Sequence, residues 1–174
     1  ILKNASGIDF TYYKRSTVLR RIERRMVVTH SSSLAEFAHM LGDNPDEANV
    51  LIKEILIGVT NFFRDPPFFE KLKYNAIYKI LERANENEPI RVWSAGCSTG
   101  EEAYSIAILF QEAMEELQLK RDVKIFATDV DSRAVEQAGK GVFSENIIDD
   151  VSAERLARFF VKQPYNKNEM ESLL

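Results

Sequence analysis

The sequence has little cysteine, little histidine and no long apolar run. Cys97 is its one cysteine, so no internal disulfide can form and a reducing cytoplasm is expected. The two histidines, His30 and His39, fall outside any metal-ligand spacing, and we expect no metal site. No apolar run approaches the roughly 18 residues that a membrane-spanning helix requires, so we expect no direct membrane insertion.

The charge balance is mildly acidic, and the composition is that of an ordinary globular protein. Among 174 residues there are 23 lysines and arginines against 27 acids, which gives a net charge of −4. A general nucleic-acid binder is usually basic, so no nucleic-acid partner is expected. The first residues carry no signal-peptide pattern. Because there is no initiator methionine, we expect the chain to be a segment of a longer protein.

The first half of the chain is patterned as helices. Ser33 opens a capping-box motif, Asn44 followed by Pro45 marks a second helix start, and Gly42 is expected to end the helix between them. A third start lies at Asp65, before two prolines. The apolar residues available for the buried face of that helix are Phe68, Phe69, Leu72, Ile77, Ile80 and Leu81.

The second half predicts a βαβ unit. Residues 89–94 and 123–128 are short β-prone runs, and a helix begins at about Glu101. The expected core-facing stripe of this helix is Ala103, Ile106, Ala107, Phe110, Ala113, Met114 and Leu117. Strand, loop, helix and strand in close succession favour parallel strands with a right-handed crossover.

Residues 95–100, which we call the glycine loop, join the first strand to the helix. Gly96 and Gly100 allow a tight turn and a close approach of a ligand to the backbone. A phosphate-binding P-loop requires lysine and then serine or threonine after its last glycine, whereas Gly100 is followed by Glu101 and Glu102. The glycine spacing also departs from that of dinucleotide sites. A cationic ligand without phosphate, such as S-adenosylmethionine, suits the two acids better, and a nicotinamide oxidoreductase is the weaker alternative.

Asp129 follows the second strand and is a candidate ligand of ribose hydroxyls, while Asp131 is the expected N-cap of the next helix. The alternatives are that both aspartates only cap that helix, and that Glu101 and Glu102 are simply placed well in a first helical turn. Cys97 has no histidine near it in the sequence, so we expect a small loop residue and not a nucleophile.

Basic residues concentrate in residues 14–25, where Glu23 is the single acid. A helical wheel places Val18, Leu19, Ile22 and Met26 on one side. The opposite side then carries Arg20, Arg21, Arg24 and Arg25. We interpret this face as a docking surface for an acidic partner, with a solvated helix face as the alternative.

Residues 62–65, which we call the arginine loop, place two phenylalanines beside a charged side chain just before a helix. Packing explains Phe62 and Phe63 but not Arg64. An ion pair of Arg64 with Asp65 or Glu70 is the alternative to a functional role.

These motifs together resemble the CheR-type chemotaxis receptor methyltransferases. The likeness follows the order of the chain from end to end. The segments that carry it are Gly7-Ile8-Asp9-Phe10, Tyr13-Lys14-Arg15-Ser16-Thr17, residues 19–26, Thr60 with Phe62-Phe63-Arg64-Asp65-Pro66, residues 92–107, and Ala127-Thr128-Asp129-Val130-Asp131.

The resemblance implies an α/β protein with an all-helical domain at residues 1–65, a linker helix at 66–88 and a partial Rossmann-like S-adenosylmethionine-dependent methyltransferase domain at 89–174. It implies methylation of glutamate side chains on the cytoplasmic domain of a chemoreceptor, with S-adenosylhomocysteine as the product. The chain is expected to stop inside the methyltransferase domain, so a non-catalytic module that binds the cofactor or a partner is the alternative.

The resemblance also assigns residues. Arg64 is the candidate catalytic residue near the methyl-transfer centre. With the loop residues added, the expected cofactor contacts are Thr60, Arg64, Ala95, Gly96, Gly100, Glu102 and Asp129. The expected receptor contacts are Arg20, Arg21, Arg24 and Arg25. Gly58 stands where some family members have a cofactor-contacting asparagine, so that contact is expected to be lost or replaced by main chain.

Overall fold

The computed structural model describes residues 1–163. The chain divides into two compact units, Ile1–Val59 and a second unit that begins at Thr60. The three-part division into residues 1–65, 66–88 and 89–174 stays a prediction, and the last residues of its third part lie outside the described ones. Among residues 1–163, no helix combines the length and the apolar character that crossing a membrane requires.

The first unit is helical, as predicted. Its elements are α1 (Leu2–Ser6), a 3-10 turn (Phe10–Tyr12), α2 (Arg15–Val28), α3 (Leu34–Asp43) and α4 (Pro45–Ile55). Helix α4 packs against each of the other three helices. The core of the unit is formed by Phe37, Leu41, Ala48, Leu51 and Ile55.

The helix starts of this unit follow its capping residues. Ser33 Oγ accepts the N–H of Glu36 at 3.2 Å, and Asn44 Oδ1 accepts the N–H of Glu47 at 3.1 Å, which confirms both predicted starts. The predicted stop at Gly42 is wrong, because α3 continues to Asp43. The helix ends where Asn44, which precedes a proline, adopts an extended conformation.

The four arginines of α2 that were predicted to form one face do not share one exposed face, so that prediction is wrong. Arg20 and Arg24 are exposed, whereas Arg21 and Arg25 are half-buried. The guanidinium of Arg25 donates twice to Glu47 of α4, at 2.7 Å each. Because α4 packs against α2 and carries this acid, one arginine of the run is committed to an ion pair inside the unit.

The second unit contains the βαβ motif. Its elements are α5 (Pro66–Leu72), a π-helical turn (Lys73–Ile77), α6 (Tyr78–Arg83), β1 (Ile90–Ala95), α7 (Glu101–Glu116), β2 (Val123–Thr128), α8 (Ser132–Lys140), a 3-10 turn (Glu145–Asp149) and α9 (Ala153–Phe159). Strands β1 and β2 pair in parallel from Ile90↔Val123 to Ala95↔Thr128, as predicted. With the helical first unit, this makes the chain an α/β protein.

The helical run before β1 contains a wide turn. The π-helical turn lies between α5 and α6, and it shifts the buried face between them. Phe69, Ile77 and Leu81 are buried, but Phe68 is 56 % and Ile80 is 42 % exposed, so their predicted burial is wrong. The same turn directs Lys73 inward, where it is only 8 % exposed.

Helix α7 is buried over a wider arc than the predicted stripe. Ala103, Phe110 and Ala113 are buried as expected. The further buried residues of this helix are Ser105, Ile108, Leu109 and Glu112. Two of these are polar, and both bind residues outside α7.

The two strands alternate between a packed face and an open face. Val92, Ser94 and Ile125 point inward, while Trp93 is 72 % and Phe126 is 53 % exposed. These two aromatic residues stand opposite each other in the ladder.

Candidate functional site

The glycine loop is fastened to the end of β2. The N–H groups of Gly96 and Cys97 both donate to the carbonyl of Thr128, at 2.7 and 3.0 Å. Gly96 has φ +77° and Gly100 has φ +103°, conformations that favour glycine. The loop therefore continues the pairing of the strands past their ends and then turns into α7.

The two glycines have different surroundings. A Cβ on Gly100 would lie 3.0 Å from the Cβ of Ala138, so this position lets the start of α7 approach α8. A Cβ on Gly96 would meet nothing within 4 Å. The main chain at Gly96 therefore borders open space at the carboxyl end of β1, where ligands bind in open α/β sheets.

Asp129 joins the two strand ends. Its Oδ2 accepts the N–H of Ser98 at 2.8 Å, and its Oδ1 accepts the N–H of Asp131 at 2.9 Å. Because a carboxylate has about four lone-pair sites, each oxygen can accept a further hydrogen bond. The ribose-binding role of Asp129 stays a prediction, and the half-buried carboxylate has the capacity for it.

Asp131 caps α8 as predicted, since its Oδ1 accepts the N–H of Arg133 at 3.1 Å. Burial opposes ionisation of this carboxyl, but the hydrogen bonds from Arg133 prevail and lower its pKa. The two aspartates thus have separate tasks: Asp131 starts a helix and Asp129 connects two loops.

The two acids at the start of α7 are held by hydroxyl groups. Ser94 donates to Glu102 Oε1 at 2.8 Å, and Thr99 donates to Glu101 Oε2 at 2.7 Å. Both carboxylates therefore stand beside the glycine loop as negative charges. These hydrogen-bond acceptors suit a ligand that is a cation with sugar hydroxyls, whereas their negative charges would repel a phosphate. Ser94 was not among the predicted site residues, although a serine on the inward face of a buried strand was a signal for it.

Cys97 does not have the properties of a nucleophile. It is 1 % exposed, and its Sγ lies 3.5 Å from the carbonyl oxygen of Ser98. Burial, and then the charge of Asp129, raise the pKa of the thiol. The sulfur is therefore protonated at neutral pH and serves as a small buried group under the loop.

The arginine loop is attached to the first turns of α7. The N–H of Phe63 donates to Ser105 Oγ at 3.0 Å, and Ser105 donates in turn to the carbonyl of Glu101 at 2.7 Å. Arg64 itself is exposed. The loop that presents it is thus bonded to the same helix start that carries the two acids.

The structure gathers most of the predicted cofactor residues of the second unit around one loop. Those residues are Ala95, Gly96, Gly100, Glu102 and Asp129. Thr60 is half-buried and precedes Asn61, whose amide donates to Asp150 at 2.8 Å. The predicted receptor contacts on α2 belong to the first unit. No cluster of three metal-ligating side chains occurs among residues 1–163.

A parallel βαβ unit with a loop of small residues and an acid after its second strand defines a Rossmann-like, nucleoside-binding protein. Residues 58–173 match the family described as CheR methyltransferase, SAM binding domain. Residues 1–56 match the CheR methyltransferase, all-alpha domain. The chain belongs to the CheR methyltransferase family, and S-adenosylmethionine is the cofactor of the matched domain.

Individual relatives agree with this family. A chemotaxis protein methyltransferase of Borreliella burgdorferi is 32 % identical over 152 residues, which cover 85 % of this chain and 54 % of that protein. Chemotaxis protein methyltransferase 2 of Pseudomonas aeruginosa is 32 % identical over 161 residues, which cover 92 % of this chain and 55 % of that protein. An uncharacterized 104.1 kDa protein of Rhodobacter capsulatus is 42 % identical over 160 residues, or 92 % of this chain and 17 % of that protein. The chain spans about half the length of the two named methyltransferases.

Proposed function

We propose that this chain contributes the docking and cofactor-binding parts of a protein-glutamate O-methyltransferase that acts on the cytoplasmic domain of a chemoreceptor, in the cytoplasm. The observation that carries the proposal is the glycine loop, which is bonded to Asp129 and is followed by Glu101 and Glu102 at the positions where a P-loop has lysine and a hydroxyl residue. The names of the relatives, chemotaxis protein methyltransferase, support the substrate class.

The residues around the glycine loop are proposed to hold S-adenosylmethionine, which when bound supplies a methyl group activated by a positively charged sulfur. Asp129 accepts hydrogen bonds from the ribose hydroxyls, and the open space at Gly96 admits the adenosyl group. Glu102 provides negative charge for the ammonium, and Ser94 keeps that carboxylate in place. Each of these residues binds and orients, and none has to move a proton.

The proposed acceptor needs no general base. A glutamate side chain has a pKa of about 4.3, so its carboxylate is already ionised at neutral pH. The reaction depends mainly on alignment of the carboxylate oxygen with the methyl group. Arg64 is exposed and carries a planar fork of N–H groups that can orient a carboxylate through paired hydrogen bonds. We therefore assign Arg64 a positioning role toward the acceptor.

Helix α2 is the proposed receptor-docking element, with a smaller set of free charges than the sequence indicated. Arg20 and Arg24 are exposed and can attract an acidic receptor surface. Arg25 is occupied by Glu47, so its contribution to docking is to fix α2 on α4.

Replacing Arg64 tests this proposal in the full product of the gene. Arg64→Lys keeps the charge but removes the planar fork. We expect kcat for methylation of receptor glutamates to fall at least about tenfold, which is a larger factor than the rise in KM for S-adenosylmethionine. The matched control is Arg83→Lys, at an exposed arginine that ends α6, which should leave the rate unaltered. Methylation by Arg64→Lys at the wild-type rate would show that Arg64 does not orient the acceptor.

A non-catalytic binding module is the second candidate, and the open face of the sheet favours it. Parallel sheets normally have both faces covered, whereas Trp93 and Phe126 are exposed here. Comparing this chain with the full gene product separates the two functions. Methyl transfer by the full product identifies an enzyme, whereas binding of S-adenosylhomocysteine by both without methyl transfer by either identifies a binding module.

A further inference from the structure

The arginine loop has an unusual backbone. Phe63 has φ +49° and Asp65 has φ +65°, so two residues other than glycine adopt the left-handed conformation on either side of Arg64. Such residues are unfavourable in isolation and persist where their surroundings impose them. The contacts of this loop therefore determine where the side chain of Arg64 begins.

Ser105 fixes the backbone of the loop. It is 0 % exposed, and its Oγ accepts the N–H of Phe63 at 3.0 Å. The single hydroxyl proton is committed to the carbonyl of Glu101, at 2.7 Å. Because that donation fixes the direction of the hydroxyl, its lone pairs remain directed to the amide of Phe63.

Arg155 of α9 fixes the ring next to Arg64. Its guanidinium carbon lies 4.1 Å from the centroid of the Phe63 ring, which is a cation–π contact. The Phe63 ring also makes an edge-to-face contact with the ring of Phe69, with the ring centroids 5.6 Å apart and an interplanar angle of 77°. The ring is thus held by a charged plane and by an aromatic edge.

Arg155 is itself held by a buried acid. Its Nε and Nη2 donate to the two oxygens of Glu112 at 2.7 and 2.9 Å. Glu112 is 8 % exposed and also accepts from Lys73 of the π-helical turn, at 3.1 Å. A bidentate pair has one geometry, so the orientation of the guanidinium over Phe63 is set by α7 and by the π-helical turn.

We infer that Ser105 and Arg155 are positioning residues for Arg64, which hold the arginine loop in the conformation that presents its guanidinium to the acceptor carboxylate. The inference rests on the proposed function, because that function gives Arg64 its task. Arg158, three residues further along α9, pairs with Glu115 and stacks on Phe159 instead. It therefore provides a matched control on the same helix.

The test combines the dynamics of the loop with a double-mutant cycle in the full gene product. Arg155→Lys keeps the charge and loses the bidentate, planar contact. We expect hydrogen exchange of the Phe63 amide to speed up about tenfold in Arg155→Lys and not in Arg158→Lys. We expect kcat to fall about fivefold in the wild-type background, but less than about twofold where Arg64→Lys is already present.

The results distinguish a failure of the inference from a failure of the proposed function. An unchanged Phe63 amide in Arg155→Lys overturns the inference, and so does an equal loss of kcat in both backgrounds, because the effect would then not pass through Arg64. Absence of methyl transfer by the wild-type protein overturns the proposed function and the inference with it. Ser105→Ala removes an independent contact of the loop and should also lower kcat less where Arg64→Lys is already present. An unaltered circular dichroism spectrum serves as the check that this variant folds.

Discussion

The glycine loop and the arginine loop reach left-handed backbone by different means. The glycine loop reaches it mainly with Gly96 and Gly100, for which that conformation is not strained, and its one other left-handed residue, Ser98, donates its N–H to Asp129 at the neighbouring strand end. The arginine loop uses Phe63 and Asp65, and depends on Ser105 and on Arg155. The first loop is thus built mainly by glycines and by hydrogen bonds to the end of the paired strand, whereas the second is held by side chains of α7 and α9.

The largest effect is expected when the negative charge of Glu112 is removed, because the arginine loop depends on the pair of Glu112 with Arg155. Glu112→Gln leaves Arg155 and Lys73 without their shared buried carboxylate. We expect the free energy of unfolding at pH 7 to drop by about 3 kcal/mol, because Arg155 loses its bidentate carboxylate partner, although Lys73 keeps Glu116 at 2.7 Å. Urea denaturation measures this, with Glu154→Gln at an exposed acid of α9 as the control.

The same variant has a pH dependence with a defined sign. Burial works against the charged form of Glu112, but hydrogen bonds from Arg155 and Lys73 prevail and lower its pKa below the usual 4.5. Stabilisation by a carboxyl with a lowered pKa is complete above the pKa of the unfolded state and is lost as pH falls through the folded value. The difference between wild type and Glu112→Gln should therefore narrow below pH 4.5. A constant difference down to pH 3 would contradict a role for the ionised form.

A smaller effect separates the two glycines of the glycine loop. Gly100→Ala combines φ +103° with a Cβ 3.0 Å from Ala138, and we expect it to lower the free energy of unfolding by about 2 kcal/mol. Gly96→Ala, where the space is open, should lower it by about 1 kcal/mol through backbone strain alone. Thermal denaturation ranks the two variants. An equal loss from both would show that packing against α8 does not distinguish them.

The smallest change in the free energy of unfolding is expected at Ser98 and Asp65, two residues other than glycine whose backbone is left-handed. Ser98→Gly and Asp65→Gly relieve strain at φ +48° and +65° but give the unfolded chain more freedom. We expect each to change the free energy of unfolding by less than about 1 kcal/mol, because the two contributions oppose each other. A loss above about 2 kcal/mol in Ser98→Gly alone would mean that the glycine loop also depends on a side chain, and that the two loops differ less than proposed.

The sequence predicted the features that local rules determine. Ser33, Asn44 and Asp131 start helices because a side-chain oxygen next to the first turn satisfies a free N–H group. The strands and their parallel pairing followed from two β-prone runs around one helix. The candidate residues of the glycine loop likewise lie within a few positions of each other or at paired strand ends.

The errors came from features that a regular helical pattern does not contain. Burial of Phe68 and Ile80 was predicted from regular helical spacing, and the π-helical turn breaks that spacing. The helical wheel placed Arg25 on an open face because it contains no α4 and hence no Glu47. The contacts of Ser105 and Arg155 with the arginine loop span too much sequence for a local pattern to indicate.

Calorimetric binding of S-adenosylhomocysteine to this chain tests whether the glycine loop and Asp129 form a pocket for S-adenosylmethionine. The comparison is between Asp129→Ala and Asp122→Ala, an exposed acid that immediately precedes the other end of β2. We expect that S-adenosylhomocysteine binds, that Asp129→Ala weakens the binding at least about tenfold, that Asp122→Ala leaves it unchanged, and that NAD does not bind. Absence of binding, equal affinities for the two variants, or Asp129-dependent binding of NAD would contradict this expectation.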